Sequence, residues 1–157
     1  MTVATKLLGS LPKRAILPIT LSYLDEMAAR KHRSSLANYA QSPLAFVHDC
    51  IDFPHEEHPT AYQDEVLAEL PLRKRVAVRA PHGAGKTALA SWVTLWGVLT
   101  APDVKVLTTA SAWRQLSKFL WPEIHKWAAR LRWSKLGREA FTRDQLLDLS
   151  LKLGNTQ

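Results

Sequence analysis

The sequence predicts an α/β fold built on a parallel sheet, and three stretches carry the prediction. Val76-Ala77-Val78 is a short apolar run of the kind that forms a buried strand. Residues 88–100 repeat apolar side chains at helical spacing, with Leu89, Trp92, Val93 and Trp96 on one face. Val104-Lys105-Val106-Leu107-Thr108-Thr109-Ala110 is a β-branched run that reads as a second strand. Strand, helix and strand over this length make a βαβ unit, with parallel strands and a right-handed crossover.

Between the first strand and the helix lies Arg79-Ala80-Pro81-His82-Gly83-Ala84-Gly85-Lys86-Thr87, which matches the G-x-x-x-x-G-K-[ST] pattern of a phosphate-binding loop except at its first position. Ala80 stands where that pattern has glycine, and the loop closes around it if that residue needs no positive φ. The chemistry expected is binding of ATP with Mg²⁺. Pro81 opens the loop, and backbone N–H groups from His82, Gly83, Ala84 and Gly85 into Ala88 turn toward the phosphates. The helix N-terminus adds the positive end of its dipole. Lys86 would reach the β- and γ-phosphates, and the Thr87 hydroxyl would ligate the nucleotide's Mg²⁺.

At 157 residues, with 46% apolar and 22% charged residues, the chain has the size and composition of one globular domain. A net charge of +7 favours an anionic partner, nucleic acid first. The lone cysteine, Cys50, excludes an internal disulfide and fits a reducing compartment. No apolar run is long enough for a membrane helix, and the N-terminus has no clean apolar core for a signal peptide. The expected location is the cytoplasm, with no membrane partner.

Residues 1–58 read as an N-terminal helical lead-in, and 59–157 as the first part of the ATPase domain. Residues 1–20 are broken by Pro12 and Pro18. Residues 21–39 read as a helix ending in Arg30-Lys31-His32-Arg33, a basic cluster that complements the helix dipole and equally fits contact with DNA. Ser42-Pro43 reads as an N-cap with proline at the first helical position, opening a helix through Cys50-Ile51. A polar, proline-bounded connector over 53–59 forms the internal boundary. Thr60 then caps a helix carrying Tyr62, Val66, Leu67 and Leu70, ended by Pro71. Residues 112–131 read as a helix that Pro122 should kink or split. Arg130, Arg132, Lys135 and Arg138 around Trp133 form a second basic patch, either a solvated helix end or a DNA contact. Alternation over 147–153 predicts a half-buried strand.

Upstream of the loop, Tyr62-Gln63 stands out. A glutamine amide donates and accepts at once and so suits an adenine edge, with Tyr62 packed beside the purine. An exposed helix glutamine is the plainer reading.

Taken together, these residues resemble the N-terminal part of the ATPase domain of large terminase subunits, the motors that package phage DNA into procapsids. The resemblance rests on Ser42-Pro43-Leu44-Ala45-Phe46-Val47, on Pro59 with Tyr62-Gln63, and on Val76-Ala77-Val78-Arg79 leading into His82-Gly83-Ala84-Gly85-Lys86-Thr87-Ala88-Leu89. It continues through Leu95-Trp96, Lys105-Val106-Leu107-Thr108-Thr109-Ala110-Ser111, Gln115-Leu116, Trp121-Pro122-Glu123-Ile124 and Trp127. It implies a RecA-like P-loop NTPase with a parallel sheet, Gln63 at adenine, Lys86 and Thr87 at phosphate and Mg²⁺, and Thr109 to Gln115 in a DNA-facing or coupling region. Implied partners are double-stranded DNA, a small terminase subunit and a portal protein, with a homo-oligomeric ring formed by the complete protein in the bacterial host cytoplasm. Some members carry arginine at the place of His82, where a histidine's contribution would depend on its protonation.

No apolar strand followed by Asp-Glu occurs after the loop. That pair would support Mg²⁺ and orient the attacking water, and the expectation is therefore a motor fragment that binds ATP and turns it over negligibly. The same resemblance implies that further strands lie between 76–79 and 105–109 in a complete sheet. Two rivals remain: another P-loop enzyme, such as a helicase-like ATPase or small kinase, and a non-catalytic DNA-binding remnant.

Overall fold

Ser42 starts the first complete helix as its sequence requires. Its Oγ accepts the Ala45 N–H at 3.2 Å, and Pro43 fills the first turn, where no N–H is needed. This helix, α1 (Pro43–Cys50), buries Phe46, Val47 and Cys50 completely. The computed structural model describes residues 36–54, 57–101, 104–137, 139–142, 146–147 and 150–151. Contacts gather Ser35–Gln157 into one unit, and that unit is the one considered below. Residues 36–40 are helical; the rest of the helix expected over 21–39, with its basic cluster, lies outside the described residues.

The second helix, α2 (Ala61–Glu69), is opened by Thr60, whose N–H donates to Gln63 Oε1 at 2.8 Å, the reach-back half of a capping box. Leu67 is its buried anchor. The third, α3 (Lys86–Thr100), begins at Gly85 in the left-handed conformation and presents Leu89, Trp92, Leu95 and Leu99 to the core. Three of its hydroxyls are satisfied within the helix: Ser91, Thr94 and Thr100 donate to the carbonyls of Thr87, Ala90 and Trp96.

The helix expected over 112–131 runs through Pro122 without interruption and carries a π-helical turn just ahead of it. An α-helical turn, Trp113–Gln115, runs into a π-helical turn, Leu116–Leu120, and then into α4 (Trp121–Ala129). Proline has no N–H and crowds the carbonyl one turn back, so the ladder widens just ahead of it, and the Trp121 N–H bonds Leu116 O. A short helix, α5 (Trp133–Leu136), closes on Gly137 at φ 63°.

The core lies where α3 meets α4, with α1 beside it. Trp92 and Trp127 meet edge to face at 5.2 Å between ring centres, and Phe53 touches both, at 5.5 and 5.4 Å. Such pairs add about 0.5–1.5 kcal/mol each beyond the area they bury. Trp127 Nε1 donates to Glu123 Oε1 and Trp96 Nε1 to Tyr39 O, both at 2.8 Å, while the buried Trp92 Nε1 has no partner among the described residues. An antiparallel bridge between Ile51 and Leu131 ties the chain leaving α1 to the chain leaving α4. Asp52 N donates to Arg130 O at 2.8 Å there, and Arg132 N to Cys50 O at 2.7 Å.

The α/β class, and with it the RecA-like parallel sheet, is corrected by this architecture: the described residues are mainly helical and contain no parallel pair. The two expected strands, 76–79 and 104–110, have no regular structure and no ladder bonds, and nearly every residue in them is exposed. A β-branched run fits a pleated, half-buried surface only when a neighbouring strand takes up its N–H and C=O groups. Neither run supplies the other with one. The strands that do pair are β1 (Leu146–Leu147) and β2 (Ser150–Leu151), antiparallel, with Leu146 opposite Leu151 and Leu147 opposite Ser150. The alternating run therefore doubles back instead of forming one strand from 147; residues 148–149 and 152–153 lie outside the described residues.

Candidate functional site

The loop ahead of α3 owes its shape to two glycines in the left-handed region, Gly83 at φ 77° and Gly85 at φ 79°. A Cβ on Gly83 would meet open space. On Gly85 it would stand 2.7 Å from Gln63 Nε2, so that position excludes side chains twice over, by conformation and by contact.

Lys86 opens α3 and folds back over the loop, its Nζ donating to Ala80 O at 2.7 Å and Pro81 O at 2.5 Å. An ammonium held by two carbonyls at the mouth of a glycine loop is a charge awaiting a stronger acceptor. An anionic phosphate oxygen outcompetes a neutral carbonyl for it. Thr87 and His82 are exposed beside it, as are Pro81 and Gly83, while Ala84, Gly85 and Ala88 are partly covered. The Thr87 carbonyl accepts the Ser91 hydroxyl at 2.8 Å. Ala80, at the consensus glycine, contributes its carbonyl to Lys86.

From the other side, α2 grips the loop. The Tyr62 hydroxyl donates to Ala84 O, and Gln63 Nε2 donates to Gly85 O at 3.1 Å. Gly85 O also accepts the Leu89 N–H at 3.0 Å, which uses both of its lone pairs. Gln63 Oε1 accepts from Thr60 N at 2.8 Å and Thr60 Oγ1 at 3.1 Å, and the residue is 4% exposed. Turning the amide over would set its NH2 against the Thr60 N–H, donor against donor, so the network fixes its orientation. The structure thus brings Tyr62 and Gln63 to the loop's backbone. The functional part of Thr60 is to hold Gln63, and the T-x-x-Q spacing of a capping box was its signal in the sequence.

The two kinds of cation separate cleanly. In the second basic patch Arg130 pairs with Glu57 at 2.8 Å and Arg132 with Asp52 at 2.9 Å, while Trp133 packs edge-on to Phe141; Arg138 lies outside the described residues. Lys74, Arg75, Arg79, Lys105, Arg114 and Lys118 are exposed with no carboxylate partner among the described residues, and Trp113 and Phe119, next in sequence to Arg114 and Lys118, are exposed as well. Among the described residues no helix is long and apolar enough to cross a membrane.

Compared with models of known protein families, with curated proteins and with solved structures, the chain matches none.

Proposed function

We propose that residues 80–88, with Tyr62 and Gln63 behind them, bind the triphosphate of a Mg²⁺-bound nucleotide, ATP in the cell. The observation that carries this reading is Lys86. Its ammonium is parked on Ala80 O and Pro81 O in a loop whose two left-handed glycines open it directly into a 15-residue helix. Phosphate arrival would exchange those carbonyls for anionic oxygens, next to loop N–H groups and a helix N-terminus. Thr87 would complete the coordination of the metal that the nucleotide brings.

The narrower reading is that the chain is the ATP-binding part of a large terminase subunit, whose hydrolysis drives viral DNA into a procapsid. It rests on the resemblance over residues 40–130. Contact with DNA is supported by the charge distribution: between Glu69 and Glu123 the cations Arg73, Lys74, Arg75, Arg79, Lys86, Lys105, Arg114 and Lys118 face Asp103 as the sole acid. Binding through such a run should weaken steeply as salt is raised.

Calorimetric titration of the 157-residue chain with Mg-ATP tests the first reading. Lys86→Ala removes the ammonium held at the loop and should weaken binding at least about tenfold. Equal affinity in the wild type and the variant would overturn it.

A further inference from the structure

A glutamine that reads a base must offer its carbonyl and its NH2 together, and Gln63 has committed both. Oε1 is used by two Thr60 donors and one Nε2 hydrogen by Gly85 O, which leaves a single unused hydrogen on a nearly inaccessible side chain. Pairing with an adenine edge would break the start of α2 and release the loop at the same moment. Tyr62 is committed as well, its hydroxyl given to Ala84 O. These contacts fall on consecutive carbonyls, Ala84 and Gly85, immediately before Lys86. Holding the carbonyls outward turns the N–H side of the same peptide units toward the mouth of the loop.

We infer that Tyr62 and Gln63 are positioning residues that clamp the loop's backbone from behind, so that the site selects the polyphosphate chain and is indifferent to the base. The inference rests on the phosphate-binding reading above and sets its ligand class as triphosphate chains, carried by a nucleoside of any base, with inorganic tripolyphosphate as the minimal member.

The test titrates the full chain with Mg-ATP, Mg-GTP and Mg-tripolyphosphate, for the wild type, Tyr62→Phe and Gln63→Met. Expected are wild-type affinities for ATP and GTP within about threefold of each other. Each variant should weaken ATP and tripolyphosphate by the same factor, about fivefold, the effect of one net hydrogen bond. Tyr62→Phe keeps the ring and so the fold. In that variant without ligand, amide hydrogen exchange over 82–87 should quicken while exchange in α4 stays unchanged, a local readout that general destabilisation would not give. A tenfold or greater preference for ATP over GTP would overturn the inference and leave the phosphate site standing. So would a variant that weakens ATP and spares tripolyphosphate. Failure of all three ligands to bind the wild type would overturn the phosphate reading and this inference with it.

Discussion

Branched aliphatic residues have opposite fates in two regions of this molecule. In α1 and at its end, Val47 and Ile51 are completely buried; in the runs flanking α3, Val76 is 38% and Val104 41% exposed, and Leu107 reaches 89%. The residue types are alike, and the difference is where their backbone hydrogen bonds go. A helix satisfies its own N–H and C=O groups, so an apolar stripe needs only a facing stripe to form a core. A strand needs a neighbour before its side chains have a surface to build. The helices α1, α3 and α4 found each other, while 76–79 and 104–110 have no strand to join among the described residues.

The largest effects should expose this contrast. Trp127→Ala empties the centre of the aromatic cluster against Trp92 and Phe53 and should cost about 3–5 kcal/mol in urea denaturation. Leu107→Ala, equally apolar, should change stability by under about 0.5 kcal/mol. Comparable losses at the two sites would mean that the irregular run is part of the core.

The loop joining the two regions should respond next. Gly85→Ala meets both a left-handed backbone and Gln63 Nε2 at 2.7 Å, whereas Gly83→Ala meets the backbone term alone. The conformational term is about 1–2 kcal/mol at either glycine, so thermal melting should rank Gly85→Ala as the more destabilised. Equal melting temperatures would indicate that the Gln63 contact yields without cost.

A smaller effect belongs to the packed side. Burial raises the Cys50 thiol above its ordinary value of 9.0, and burial also raises the Tyr39 hydroxyl, with the Cys50 thiol and Asp49 adding to it. Both groups hold their protons more tightly folded than unfolded. Their contribution is therefore complete below about pH 9 and declines as pH climbs beyond it. Denaturation midpoints that fall above pH 9 in the wild type, and fall less in Cys50→Ala, would match; identical alkaline profiles would not.

The sequence made some features legible for a physical reason. Ser42-Pro43 and the stripe of α3 act over one or two turns, and both appear; ahead of Pro122 a π-helical turn stands in place of the expected kink or split. The sheet was not legible, since period-two patterns report a side chain's wish for a surface and carry nothing about the strand that must provide it. Gln63 is a related case. Its chemistry suits a base edge, yet the nearest donors and acceptors were Thr60, three residues back, and a loop carbonyl brought alongside by the fold. The turn into α3 was legible because Gly83 and Gly85 both take the left-handed backbone that glycine favours.

The most direct test of the account asks where a nucleotide is felt. Amide hydrogen exchange of the chain, with and without Mg-ATP, should show slowed exchange confined to residues 82–88 and the first turn of α2, with α1 and α4 unchanged. Protection centred on the α3–α4 core, or none anywhere under saturating Mg-ATP, would contradict it.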